Sequence, residues 1–251
     1  MRKKFMLFLL ICFSFSAMSQ PSEKLSYILH YGLMKGGEAF LTVSDTTFQN
    51  KKAFHFYMRG FTTGITNSLF GVDDIYESFS DPKTILPYMT IRNIRERKHR
   101  YYNETLFFND KDSLFSKRSG GSKAPHNTVD ILTAFFYLRH NNFLDKLNHG
   151  ELFTLPVFHA DECFFMSVKY MGTKKIKTKF GRKECYVLSP YVSKGKLFKR
   201  SDGLKFYITK DKDRIPVLLE FDMFIGSLKA ELISYEKSEI NIKNQITPSV
   251  N

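Results

Sequence analysis

The stretch KLSYILHYGLMKGGEAFLTVSDTTFQNKKAFHFYMR, residues 24–59, decides the fold class. Leu25, Tyr27 and Leu29 share one face of a strand over Lys24–Tyr31, because successive side chains on extended backbone alternate sides. Ala39, Leu41 and Val43 do the same over Glu38–Ser44, and Phe54, Phe56 and Met58 over Lys52–Arg59. Lys35-Gly36-Gly37 predicts the turn between the first two. Three alternating runs with short links read as an antiparallel meander.

The same pattern continues on either side of a polar centre. Val72–Phe79, Tyr88–Asn93, His99–Phe108 and Ser113–Lys117 precede it. Glu151–Phe158, Cys163–Met171, Lys175–Phe180, Glu184–Ser189, Leu204–Thr209, Val217–Phe221 and Leu228–Tyr235 follow. Met171-Gly172-Thr173 and Phe180-Gly181-Arg182 read as hairpin turns. Arg118–Lys123 reads as a loop or hinge, and Thr128–His140 is the one long helix. Asn127 is its expected cap, with Asp130 in the first turn. Ile131, Phe135 and Leu138, flanked by Leu132 and Phe136, give it an apolar stripe. A shorter helical turn is expected around Thr66–Phe70.

So many strands exceed the roughly ten that an open twisted sheet carries, so the sheet must curl, split or close. The expected fold is mainly β, a large curled antiparallel sheet or open barrel wrapping one central helix. Aromatic residues at 16%, with no Trp, favour strands over a helical bundle. One domain over residues 20–236 accounts for the pattern, followed by a polar tail over residues 237–251.

Arg2, Lys3 and Lys4, the apolar run Phe5–Phe15 and the small pair Ala17 and Ser19 read as a signal peptide over residues 1–19, cleaved before Gln20. The apolar run is shorter than the ~20 residues of a membrane span. The net charge of +13 falls to about +10 on cleavage. A periplasmic or secreted location turns that basic charge away from nucleic acid and toward a lipid or another anionic envelope component. Cys163 and Cys185 then stand in an oxidising compartment, either as a bridge or as two buried thiols.

No catalytic or cofactor motif stands out. His159-Ala160-Asp161-Glu162-Cys163 has metal-ligand types, but adjacency in a turn is not a coordination geometry, and a polar turn is the plainer reading. Asp73, Asp74 and Glu77 invite a carboxylate-pair reading against one of solvated partners for the excess of Arg and Lys. Gly120-Gly121-Ser122-Lys123 lacks the strand-to-helix setting of a phosphate loop. Arg139 suits the negative end of the helix, as a cap or a core-edge ion pair. The runs Arg92, Arg95, Arg97, Lys98, Arg100 and Lys174, Lys175, Lys177, Lys179 read as solvated basic faces that could also hold an anion.

Asp130-Ile131-Leu132-Thr133-Ala134-Phe135-Phe136-Tyr137-Leu138-Arg139 resembles the helix signature of an exported bacterial family, domain of unknown function 3108. Asp213–Val217 with Ile225–Leu232 resembles its closing hairpin, and Leu25–Tyr31 with Gly36–Ala39 its opening one. The resemblance implies a β-rich exported protein, similar in fold to half-barrel lipoprotein carriers of the LolA/LolB type, and it carries over no catalytic residue.

The function expected is that of a non-enzymatic exported envelope protein binding an apolar or amphipathic ligand (lipid, lipoprotein or lipid-linked glycan) in a concave sheet. Phe54, Phe56, Phe165, Phe206 and Phe221, together with Leu41, Phe61, Tyr88 and Phe107, are the expected apolar lining. Lys175, Lys177 and Lys179 are the expected anion contacts. The alternatives are an envelope assembly or docking factor and a hydrolase of glycan or wall polymer.

Overall fold

A computed structural model describes residues 22–140, 142–192, 203–222 and 227–238. Eight strands form the first half: β1 (Glu23–Tyr31), β2 (Met34–Phe48), β3 (Lys51–Thr62), β4 (Asp73–Ser80), β5 (Pro87–Glu96), β6 (His99–Phe108), β7 (Ser113–Ser116) and β8 (Gly120–Lys123). The second half adds β9 (Val129–Asp130), β10 (Leu152–His159), β11 (Glu162–Thr178), β12 (Gly181–Val192), β13 (Leu204–Thr209), β14 (Pro216–Asp222) and β15 (Ser227–Lys237). Helix α1 (Gly64–Phe70) links β3 to β4, and α2 (Ile131–His140) follows β9.

All the strands belong to one sheet, ordered β8-β7-β6-β5-β4-β3-β2-β1-β15-β14-β13-β12-β11-β10-β9. Every ladder joins strands that are consecutive in sequence, except β1 with β15, where Leu25 faces Tyr235 and Leu29 faces Ala230. The β9–β10 ladder is parallel and the others are antiparallel. β8 and β9 are the sheet's two unpaired edges, so the barrel stays open along one seam. The sheet curls until the β9–β10 edge lies over the inner face of β4–β7, with Phe158 edge-on to Phe107 at 5.8 Å. This is the mainly β curled sheet around one helix that the alternation implies.

The concavity is filled by α2. Phe136 packs on Phe56 with ring centroids 4.3 Å apart, amid Leu25, Leu41, Val43, Leu132 and Tyr207. On the helix's other flank Leu138 meets Val168, Leu188 and Ile208. Each large apolar side chain buried this way stabilises the fold by roughly 1.5–3 kcal/mol relative to exposure. Arg139, wholly buried, donates to both oxygens of Glu23 on β1 at 2.8 and 2.9 Å and to the Arg214 carbonyl at 3.0 Å. It is an ion pair inside the core.

Several local expectations are corrected. The first turn is Gly32-Leu33, with Gly32 at φ 59, and Lys35–Gly37 already belongs to β2. Gly37 serves packing instead, since a Cβ there would sit 2.3 Å from the Phe61 carbonyl oxygen. Gly120–Lys123 is an edge strand on β7, not a hinge. Residues 163–171 and 175–180 are not two strands: β11 runs unbroken through Thr178, with a register shift at Gly172 (φ 87) absorbing the expected turn. The helix begins at Ile131, and its cap is Asp130, not Asn127. Of the two readings open to Cys163 and Cys185 the structure has the thiols, free and in separate apolar clusters, with Cys185 buried and Cys163 only half-buried. The signal-peptide reading of residues 1–19 and the tail beyond Ser238 lie outside the described residues.

Candidate functional site

Around α2 the inner face is apolar, but on β4–β7 it turns polar. Ser78, Thr90, Arg92, Asn103, Thr105 and Ser116 point inward there, and all but Thr90 and Arg92 are buried. Such groups need partners, and the seam supplies them from two elements.

The first is the start of α2. Asp130 Oδ1 accepts from the backbone of Leu132 at 2.7 Å and of Thr133 at 3.1 Å, while the Asp130 amide donates to Thr133 Oγ1 at 3.0 Å. This reciprocal cap satisfies donors the helix leaves orphaned. The Ser78 hydroxyl donates to Asp130 Oδ2 at 2.5 Å and so ties the helix to β4. Burial raises the Asp130 pKa, opposed by the hydrogen bonds from Ser78, Thr133 and Leu132.

The second is the β10–β11 turn, where Ala160 (φ 51) and Asp161 (φ 64) make a tight left-handed hairpin link. The Asp161 carboxylate faces β6 and β7. It accepts from Tyr101 Oη at 2.5 Å, Asn103 Nδ2 at 2.7 Å, Ser116 Oγ at 2.7 Å and Ser119 Oγ at 3.3 Å. Burial alone would raise its pKa, but the hydrogen bonds from Tyr101, Ser116 and Ser119 and the charge of Arg118 hold it below the usual range. One aspartate therefore closes a seam that has no backbone ladder.

Between these anchors sits Arg92. Its guanidinium lies 5.8 Å from the Tyr76 ring centroid and 4.8 Å from that of Tyr101, and Arg118 lies 4.7 Å from the latter. Its Nε is buried without a hydrogen-bond partner, and among the described residues Arg92 forms no ion pair. Beside it His159 stacks on Tyr76 at 6.3 Å. Burial, with the Arg92 charge, pushes the His159 pKa down to about 4, so the imidazole is neutral near pH 7. These groups line a cavity of about 30 Å³ together with Tyr76, Tyr101, Asn103, Asp130 and Asp161. That volume suits about two waters or one small oxyanion. Both carboxylates of the cavity take their hydrogen bonds from neutral donors, so Arg92 pairs with neither of them; its charge acts instead on Asp74 and on the Tyr76 hydroxyl.

The residues expected to line a ligand site are not gathered in one place. Phe56 is 1% exposed beneath Phe136, and Phe54 packs half-buried on the same cluster. Phe206 meets Phe135 edge-on at 5.7 Å, and Phe221 lies half-buried opposite Leu204. Phe165 is 58% exposed on β11. Lys175 and Lys177 are exposed on the later part of β11, facing away from Ile176, and Lys179, exposed in the β11–β12 turn, donates to the Ile233 carbonyl at 3.3 Å. Asp73 binds Arg59 through both oxygens at 2.7 and 3.2 Å, Glu77 meets His55 at 2.7 Å, and Asp74 accepts from the Arg95 amide. Among the described residues no group of three or more His, Cys, Asp and Glu side chains is placed to hold a metal.

Arg92 departs from the solvated basic face expected of its run: it turns inward, whereas Arg95, Arg97, Lys98 and Arg100 are exposed. Thr90, Arg92 and Ile94 share the inward face of β5, and the buried Ile94 is the one sequence signal for that orientation. Met89 and Ile91 offer an equally apolar opposite face, so alternation alone leaves the choice open.

The sequence profile of a family described as "Protein of unknown function (DUF3108)" matches residues 26–233. No curated protein matches the chain. A β-barrel-like protein of domain of unknown function DUF1849 from Brucella abortus is similar in structure, with a TM-score of 0.58 at 9% identity, over 88% of this chain and 99% of that one. A DUF1089 family protein from Pseudomonas aeruginosa aligns over 86% of this chain and 95% of its own, at 9% identity and a TM-score of 0.33. The first likeness is one of fold alone.

Proposed function

The chain belongs to the DUF3108 family, whose description assigns no activity, and from its own site we propose that it is an exported, non-enzymatic envelope protein that binds the anionic head group of an amphipathic ligand at the seam. The observation that carries this reading is Arg92, a guanidinium in a small polar cavity, without an ion pair and with a buried Nε that no acceptor meets. A buried donor left unsatisfied costs about 1–3 kcal/mol, and an entering carboxylate or phosphate oxygen would recover it. Arg suits the task because its fork of donors matches both groups. Tyr76 and Tyr101 hold the guanidinium between their rings, and neutral His159 can donate or accept without adding charge. Since α2 fills the concavity, the site takes a head group, and an acyl chain would lie outside it. The basic start, apolar run and small residues at Ala17 and Ser19 support an envelope location.

Calorimetric titration with octyl phosphate and octanoate against neutral octyl glucoside, each below its micelle concentration, tests the reading. The two anions should bind saturably and the neutral amphiphile weakly. Arg92→Gln should abolish anion binding, while the combined change of Lys175, Lys177 and Lys179 to Ser should leave it nearly intact. Loss on the lysine change alone would move the site to the outer face of β11, and equal binding of all three ligands would refute a charged site.

A further inference from the structure

One end of the barrel carries apolar side chains that the fold does not use. Gly32 supplies the left-handed turn between β1 and β2, yet the turn also presents Leu33 at 102% exposure and Met34 at 63%. Next to it stands α1, which buries none of its residues and exposes Ile65 (82%), Leu69 (52%) and Phe70 (53%). The two elements adjoin, since the Thr63 amide donates to the Gly36 carbonyl at 3.0 Å. Contiguous exposed apolar side chains of this size mark an interaction surface rather than a folding requirement.

The β5–β6 turn lies against the same helix, with the Arg97 amide donating to the Gly71 carbonyl at 3.0 Å. Arg95, Arg97, Lys98 and Arg100 are all exposed there, and among the described residues none of them forms an ion pair. Glu38 pairs with Lys35 and Asp73 with Arg59, which leaves Asp74 and Glu96 against four cations. Apolar tips on two small projecting elements, with cations beside them, match the division of a bilayer surface into acyl boundary and phosphate layer. We propose that this end docks onto an anionic lipid bilayer, with Leu33, Met34, Ile65, Leu69 and Phe70 entering the interface and the β5–β6 turn contacting the phosphates.

The chain has no Trp, so a single introduced indole reports from one place. In the full chain, Leu33→Trp marks the docking end, and Phe180→Trp marks the β11–β12 turn at the opposite end. With vesicles of phosphatidylglycerol and phosphatidylcholine at 3:7, the indole at position 33 should shift to the blue and be quenched by brominated acyl chains. The indole at position 180 should do neither. Changing Arg95, Arg97 and Lys98 to Ser should weaken the response at position 33 at least tenfold and remove its salt dependence. Changing Lys175, Lys177 and Lys179 to Ser should leave that response unchanged, which separates this surface from the basic residues at the opposite end. Equal responses at both ends, no response at position 33, or an undiminished response on changing Arg95, Arg97 and Lys98 would overturn the proposal. So would a lipid-free dimer that Ile65→Ser dissociates, which would assign the face to a second copy.

Discussion

Arg139 and Arg92 both point inward, and their surroundings treat them in opposite ways. Arg139 has a two-oxygen partner in Glu23, a carbonyl for its Nε and the Phe136 ring 5.1 Å from its guanidinium. Its charge is answered, so it acts as a joint between α2 and β1. The sequence places a cation at the helix end but cannot name Glu23, which stands 116 positions earlier. Arg92 has rings beside it and no acceptor for its Nε, and that contrast separates a structural charge from a receptive one. His159 gives this region a pH signature. Its folded pKa of about 4 lies below the ordinary 6.5, so the unfolded chain takes up the proton first as acid is added. The stability it contributes is complete above pH 6.5 and is lost as pH falls toward 4, by up to about 1.4 kcal/mol per pH unit. Urea unfolding at pH 7, 6, 5 and 4.5 should therefore show a steeper decline for the protein than for His159→Gln. Parallel curves would mean that the imidazole titrates normally in the fold.

Helix α2 spans ten residues, too short to persist alone, so its cap and its buried face must hold it. The stripe expected from the sequence is right in kind but turned slightly around the axis: Leu132, Phe136 and Leu138 are buried, while Ile131 and Phe135 are half-buried. Phe136→Ala should cost about 3–5 kcal/mol, and Phe135→Ala distinctly less. Thermal melting of the two variants decides it, and equal losses would contradict this packing. Period-two alternation made the strands legible because one face of each is buried, and the helix was legible as the only long 3.6-residue stripe. What alternation could not show is where glycine bends a strand without ending it, as at Gly172, or where a polar tetrapeptide still pairs at an edge, as at Gly120–Lys123. The seam escaped for a related reason. Asp161 looks like an ordinary turn residue until curling brings Tyr101, Asn103 and Ser116 to it.

At the scale of the whole molecule, every strand pairing but one is between neighbours in sequence, and that one, β1 with β15, spans nearly the whole described chain. The Ser238 amide donates to the Ser22 carbonyl at 3.1 Å, so the two ends of this ladder touch. The sheet, meanwhile, is interrupted between β8 and β9, where the chain is continuous. Connectivity and pairing are thus offset by half a turn of the barrel. The consequence is kinetic. Two locally paired halves can form quickly, but they must then find each other in register across the longest loop closure available, and such distant contacts slow folding. Joining Ser238 to Ser22 by a short Gly-Ser linker and opening the chain at Pro125–Asn127 would make every ladder local while leaving the sheet order untouched. Stopped-flow refolding of that permuted chain should be faster by tenfold or more at similar equilibrium stability. An unchanged rate would show that the search limiting folding lies elsewhere, in the insertion of the helix into the curling sheet.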